Sequence, residues 1–326
     1  MRERITDRLD ITPQRYYQVT KLALLGLALI VLSGAAVRVT GSGLGCPDWP
    51  QCYKSGRLVP ESDLHAMIEF TNRVFSGFVV LISGIAWLLS YVRRPYRRDL
   101  MWLSAALPFG VFGQAILGGL TVKYGLAPGW VMSHYLLSMV VLVFAQQLFW
   151  RSRPVHPTPP GAPDRTTALL IRALTVLGAF TVIAGTASTA AGPHAGASGT
   201  GEIVPRFDFK GGDTLSWIIE RHGALAAILG VGAVLAWFLC RTRGGGKRLQ
   251  RSLTILCLLM AAQGVVGITQ YELELPAEIV WVHVGLATYT WISLLFAWSS
   301  AGLPAKAAAS TTRDRAEPHL EPAQRA

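Results

Sequence analysis

Inside long apolar stretches of this sequence stand Glu69, Asn72, His134, Glu220, His222 and His283, groups that hydrocarbon surroundings tolerate only when they are paired or liganded. An imidazole can ligate a metal through one ring nitrogen while the other is held by a hydrogen bond, and it can also carry a proton. A carboxyl such as Glu69 can exchange a proton or face developing positive charge. The histidines lie too far apart in sequence to form a local ligand motif, so only separate elements packed side by side could unite two of them. For one histidine taken alone, an interhelical hydrogen bond is an equally good account. Three at related positions point to a shared chemistry, and the elements that carry them decide what it is.

The chain is 51% hydrophobic and 15% charged, with a mean hydropathy of +0.39, too apolar for a soluble protein unless the apolar residues are gathered in runs. They are. Stretches of the roughly 20 residues needed to cross a ~30 Å hydrocarbon core cover about 21–39, 67–92, 101–122, 129–150, 167–189, 215–240, 252–270 and 278–298. The expected fold is all-α, a polytopic membrane protein of eight transmembrane helices, because lipid offers no partner to an open sheet edge. Of the 30 Lys and Arg residues, 22 fall in the termini and alternate loops on one side. This positive-inside pattern predicts a multi-pass cell-membrane protein with both termini cytoplasmic and the loop of Cys46 and Cys52 outside. The net charge of +11 is then a membrane signature rather than a nucleic-acid surface. Residues 1–20 read as a cytoplasmic N-terminal segment, 151–166 as a cytoplasmic linker, and 299–326, rich in Ala, Pro and charge, as a disordered cytoplasmic tail. The first span lacks the cleavage pattern of a removable signal and is expected to be retained.

The chain also resembles itself at about half its length. Gly119-Leu-Thr-Val-Lys-Tyr124 is echoed by Gly267-Ile-Thr-Gln-Tyr271, and His134 falls opposite His283 at an offset of 149. Asn72 falls opposite His222 at 150, and Gly34 opposite Gly185 at 151. Residues 21–150 and 167–298 are therefore expected to form two four-helix bundles. Four spans is an even number, so the repeat is parallel, with its axis along the membrane normal. Every even-numbered span starts outside, which puts Glu69, Asn72, His134, Glu220, His222 and His283 in the outer leaflet. Two imidazoles on facing helices of a four-helix unit suit haem, whose apolar macrocycle fills the bundle while its propionates face water. His222 and His283 form such a pair. Zinc or copper would need a tighter cluster with more ligands than the spans offer.

Cys46 and Cys52 flank Pro-Asp-Trp-Pro-Gln in the outer loop, 40–66, where an oxidising compartment permits a disulfide; a structural staple and a redox role are both open for the pair. Cys240 and Cys257, at the inner side, read as core packing.

Gly41-Ser-Gly-Leu-Gly-Cys-Pro-Asp-Trp-Pro-Gln-Cys52, Ile68-Glu-Phe-Thr-Asn-Arg73, Gly118-Gly-Leu-Thr-Val, Ser133-His134, His222 and His283 together resemble the haem A synthase family. The resemblance runs over all eight spans. It implies an enzyme that oxidises the ring methyl of haem O to the formyl group of haem A for cytochrome oxidase assembly. It further implies a resident haem B held by His222 and His283 in the second half and a catalytic first half. The partners implied are haem O and its synthase, cytochrome oxidase assembly factors, an electron donor of unidentified kind and the lipid bilayer; a homo-oligomer is left open. One departure is marked: Asn72 stands where the family commonly has histidine in a Glu-x-x-His segment, so His134 is expected to be the sole protein ligand of a first-half iron, an asparagine amide being a poor one. His65, one turn before Glu69, is the weaker substitute, because it falls in the loop. Glu69 is the expected catalytic group, with an ion pair to Arg73 at i,i+4 as the compatible alternative. Arg38, Arg73 and Arg221 either meet haem propionates or snorkel to the interface. Two other functions fit the architecture less well: a di-haem electron-transfer protein of the membrane cytochrome b kind, which needs bis-histidine ligation in both halves, and a transporter, which needs broken helices near the midplane.

Overall fold

The computed structural model describes residues 11–53, 63–154 and 163–302. It is all-α. Among the described residues eight helices cross the molecule: α1 (Pro13–Val39), α2 (Leu64–Val92), α3 (Arg98–Lys123), α4 (Pro128–Arg151), α5 (Arg165–Ala191), α6 (Thr214–Thr242), α7 (Lys247–Glu272) and α8 (Ala277–Ala301), with a 3-10 turn, Gly211–Asp213, leading into α6. All eight are long and apolar enough to span a membrane. Their apolar middles coincide with the expected spans, and side-chain caps set the starts of three of them. Thr12 caps α1 by accepting from the Arg15 amide at 3.3 Å, with Pro13 opening the helix well before the apolar run. Asp63 caps α2 through the His65 amide at 2.9 Å, and Asp164 caps α5 through the amides of Thr166 and Thr167. Of the tail expected to be disordered from 299, Ser299, Ser300 and Ala301 belong instead to the last turn of α8, and the residues beyond Gly302 lie outside the described residues, as do Lys54 and Arg57 of the first loop.

In the first half α1 packs on α2 and α4, α2 on α3, and α3 on α4, closing a ring of four. In the second half α5 packs on α6 and α8, α6 on α7, and α7 on α8. The halves meet through α1, α4, α5 and α8. Hydrogen bonds from side chains to backbone fix this seam, as expected where lipid supplies no hydrophobic drive between helices. The Trp291 indole donates to Met139 O at 3.1 Å and that of Trp281 to Leu32 O at 2.9 Å, while Gln146 and Gln147 meet Ser299 Oγ at 3.2 and 2.9 Å. Close approach in the bundles needs small residues: a Cβ on Gly232 would stand 2.4 Å from a Leu174 methyl.

The internal resemblance extends to the backbone. α1 and α5 each have 27 residues, α2 and α6 have 29, and α3 and α7 have 26. The α3–α4 turn puts Gly125 and Leu126 at φ +56° and +57°, and the α7–α8 turn puts Glu274 and Leu275 at +60° and +64°, again 149 residues on. Equivalent bonds close both turns: Leu126 N–H to Thr121 O at 2.8 Å and Leu275 N–H to Gln270 O at 2.7 Å. Left-handed backbone costs a residue with a Cβ about 1–2 kcal/mol, so these turns persist because the surroundings hold them. The Leu126 side chain is buried against Gly43 and Gly196, and Leu275 O accepts from His194 Nε2 at 2.7 Å.

Glu274 is exposed, so its substitution isolates the backbone term. Glu274→Gly is expected to keep or raise the melting temperature of the detergent-solubilised protein, whereas Glu274→Val should lower stability by about 1 kcal/mol or more. Equal melting of the two variants would mean that the turn is not held in this conformation.

Candidate functional site

The chain direction alternates from helix to helix, so α2, α4, α6 and α8 all begin at the end of the molecule that carries the cysteine loop. Glu69, His134, His222 and His283 lie six to nine residues into these helices, about 10 Å below their starts at 1.5 Å per residue. The structure brings His222 and His283 together: their ring centroids are 6.2 Å apart with planes inclined at 69°. His222 Nδ1 donates to the Thr181 carbonyl on α5 at 3.0 Å, which fixes the tautomer and leaves Nε2 with its lone pair. His283 is held from α7, where the Gln263 amide donates to His283 O and lies 3.2 Å from its Nε2.

One pattern recurs around every histidine of the site. Thr181 and Gly185 on α5 bracket His222: a Cβ on Gly185 would stand 2.9 Å from its Cε1. Gln263 and Gly267 on α7 bracket His283, with the corresponding distance 3.3 Å. Gln114 and Gly118 on α3 bracket His134: Gln114 Nε2 donates to His134 O at 3.0 Å and Ser138 Oγ at 2.8 Å, and a Cβ on Gly118 would stand 3.4 Å from the imidazole. Residues four apart lie on one helix face, so each helix presents a polar grip and, one turn on, a bare surface that the Cε1 edge of the ring approaches. These glutamines were not singled out in the sequence, although Gln114-x-x-x-Gly118 and Gln263-x-x-x-Gly267 stand at the same offset of 149 as the histidines. Nδ1 of His134 and of His283 is buried without a hydrogen-bond partner among the described residues.

The first half departs from the second at Asn72. Its Oδ1 accepts from Ser33 Oγ at 2.8 Å, so the amide is engaged by α1. Gly34, the counterpart of Gly185, faces nothing within 4 Å. Glu69 is 5% exposed and is tied on both oxygens: Oε1 pairs with Arg73 at 2.5 Å, as the i,i+4 spacing allows, and Oε2 accepts from the Cys46 amide at 2.8 Å. Arg73 also donates to the carbonyls of Asp48, Pro50 and Gln51. Cys46 and Cys52 form a disulfide, so Glu69 and Arg73 clamp a closed loop on to α2. Trp49 of that loop packs on Gly119, the neighbour of the glycine that faces His134. The loop thus reaches the mouth of the first half.

The remaining candidates separate by their partners. His65 lies in the first turn of α2 rather than in the loop, with Nδ1 2.9 Å from Ser42 Oγ. Arg38 donates to His194 O and Thr189 O, at 2.9 and 3.0 Å, joining α1 to the loop after α5. Arg221 and Glu220 form an exposed ion pair, with the guanidinium over the Trp217 ring at 4.2 Å. Of the thiols, Cys240 is buried and Cys257 half-buried.

Does this donor set fit haem? The two imidazoles, 6.2 Å apart centre to centre, leave room for a metal that both would bind. A carbonyl acceptor behind the ring of His222 is the usual companion of a ligating histidine. The second half fits. These features define a class: a polytopic helical membrane protein with a pair of neighbouring imidazoles in its interior near one end. The chain belongs to the cytochrome oxidase assembly protein family, whose profile matches residues 17–295. Among individual proteins it is similar to the haem A synthase of Shewanella oneidensis, 29% identical over 150 residues, which are 41% of this chain and 44% of that protein. It is also similar to that of Lysinibacillus sphaericus, 31% over 120 residues (36% and 38%), and that of Bacillus pumilus, 31% over 133 residues (39% and 43%). Each of these matches spans less than half of the relative's length.

Adding a methyl group at Gly185 should push the His222 ring off its seat, so the Gly185→Ala protein is expected to retain well under half of the haem per chain, measured by absorbance after purification. Gly34→Ala, in open surroundings, should retain all of it. Equal retention in both would show that the glycine seat does not orient the ligand.

Proposed function

We propose that this chain is a haem A synthase: a membrane oxidoreductase that converts the ring methyl of haem O to the formyl group of haem A for cytochrome oxidase assembly. The observation that carries the reading is the His222–His283 pair, 6.2 Å apart, with His222 oriented by the Thr181 carbonyl, in a chain of the cytochrome oxidase assembly family. The names of the similar proteins support it.

His222 and His283 are the residues that would hold a resident haem B, which when bound supplies one-electron chemistry. Haem O is the substrate of the first half, where His134 is the one imidazole. Asn72, bonded to Ser33, leaves the side facing it without a protein ligand, which suits a site that must admit and release its occupant. Glu69 is the proposed catalytic carboxyl. Its two hydrogen-bond donors hold it at the junction of loop and helix, where it can stabilise positive charge developing on the substrate carbon or pass a proton. The disulfide loop, with Trp49 against Gly119, shields that mouth from water.

In this reading the two halves are a parallel repeat, both termini face the cytoplasm, and the disulfide lies outside, as an oxidising compartment requires. Haem O synthase, oxidase assembly factors and an electron donor are the proposed partners. The di-haem electron-transfer alternative is disfavoured by the Asn72–Ser33 bond. The continuity of all eight helices weighs against a transporter.

The test is extraction and chromatography of haems from membranes that express the chain with a source of haem O; haem A absent from an empty-vector control is the expected product. His222→Ala and His283→Ala should each abolish the low-spin haem B spectrum. Glu69→Ala should leave haem bound and reduce haem A formation by at least about tenfold, in the range of a lost general acid–base group. Loss of all haem in both classes of variant would refute the division of labour between the halves.

A further inference from the structure

At the opposite end of the molecule, α6 ends and α7 begins around a cavity of about 450 Å³ that the haem chemistry does not use. Arg241, Lys247 and Arg251 line it, together with Gln250, Thr254 and Ile255, and no carboxylate does. The wall is built. Thr254 Oγ1 accepts from the Trp237 indole at 2.9 Å and donates to Gln250 O, while the Arg241 guanidinium lies 5.7 Å from the Trp237 ring centre. Both polar atoms of the Gln250 side chain are shut off from solvent and hydrogen-bond to nothing among the described residues. A buried amide left in that state is destabilising unless something meets it. Gly246, which precedes α7, provides no side-chain cap, so the first amides of the helix have no side-chain acceptor.

The cavity opens on an apolar surface. Leu235 and Phe238 on α6, and Ile255 and Leu258 on α7, are exposed below it along the span. A ligand that satisfies cavity and surface together carries a phosphate, a hydroxyl-bearing headgroup and long apolar chains. We propose that this cleft is a specific site for an anionic phospholipid of the phosphatidylglycerol kind: its phosphate meets Arg241, Lys247 and Arg251, Gln250 turns to donate to a phosphate oxygen and accept a headgroup hydroxyl, and the acyl chains lie along α6 and α7. Cations that merely snorkel would need neither a cavity nor an unsatisfied amide at its wall.

Native mass spectrometry of the full chain in detergent, titrated with phosphatidylglycerol or with phosphatidylcholine of the same acyl chains, tests this directly. One saturable phosphatidylglycerol adduct is expected, with phosphatidylcholine binding at least tenfold weaker. Each of Arg241→Ala and Arg251→Ala should weaken the adduct about fivefold, and Gln250→Leu should reduce the preference for phosphatidylglycerol over phosphatidic acid, which has no headgroup hydroxyl. Melting of each variant in lipid-free detergent verifies the fold, and the headgroup comparison on the unsubstituted chain stands even where a variant misfolds. Equal binding of the two headgroups, or a preference that survives removal of both arginines, overturns the proposal. Displacement of the adduct by millimolar inorganic phosphate would give the cavity to free phosphate and overturn the lipid assignment.

Discussion

A ring nitrogen buried in a membrane-spanning bundle must be met by something, and most of this molecule is arranged around that demand. Each of the three site histidines lies on an even-numbered helix and is seated on the odd-numbered helix before it. There the Thr181 carbonyl takes a ring nitrogen of His222, the Gln114 and Gln263 amides take the backbone carbonyls of His134 and His283, and a glycine one turn away removes the bulk that would push each ring aside. The seat is the conserved quantity between the halves, more than the ligand. In the first half the seat for the residue at position 72 has lost its imidazole: Ser33 supplies a hydroxyl to an amide where Thr181 supplies a carbonyl to a ring. The same scaffold thus holds a pair of imidazoles on one side of the molecule and, on the other, one imidazole with an amide at the position of the second.

The second organising element is the clamp at the cysteine loop. A carboxylate and a guanidinium on one face of α2 hold a disulfide-closed loop through one amide and three carbonyls, and the loop delivers Trp49 on to α3. Glu69 is thereby both structural and proposed to be chemical. The two roles are compatible because the bonds that anchor the loop also fix where the carboxyl points, and buried groups tied on every side move little.

The number of helices, the middles of the spans and the pairing of His222 with His283 were legible in the sequence, because hydropathy and intramembrane histidines are strong signals. Helix ends were less so. They depend on Thr12, Asp63 and Asp164 acting as caps, and an apolar window does not register a hydroxyl or carboxylate just outside it. His65 was placed in the loop for that reason, since α2 starts at Leu64. The seats were visible only as Gln-x-x-x-Gly at a spacing that had already been noticed for the histidines. The left-handed turns at Leu126 and Leu275 had no local signal at all, because leucine at positive φ is stabilised by distant partners and not by its own preference. Arg38 and Arg221, alike in the sequence as arginines near a span end, part company through their neighbours: one binds carbonyls across the seam and the other lies exposed beside Glu220.

Those carbonyls give the order of synthesis a structural meaning. Arg38 belongs to α1, which a ribosome delivers before the other described helices, yet its acceptors lie in the last turn of α5, at Thr189, and just after it, at His194. Gly43 donates to Gly196, and His194 in turn donates to Leu275, between the last two helices. A nascent chain therefore carries a guanidinium without its acceptors through the insertion of four further helices, and the loops above the bundle lock only when nearly the whole protein is in the membrane. The early half is a hemisphere waiting for its other side, and a chain released before α8 would lack the keystone that ties both together.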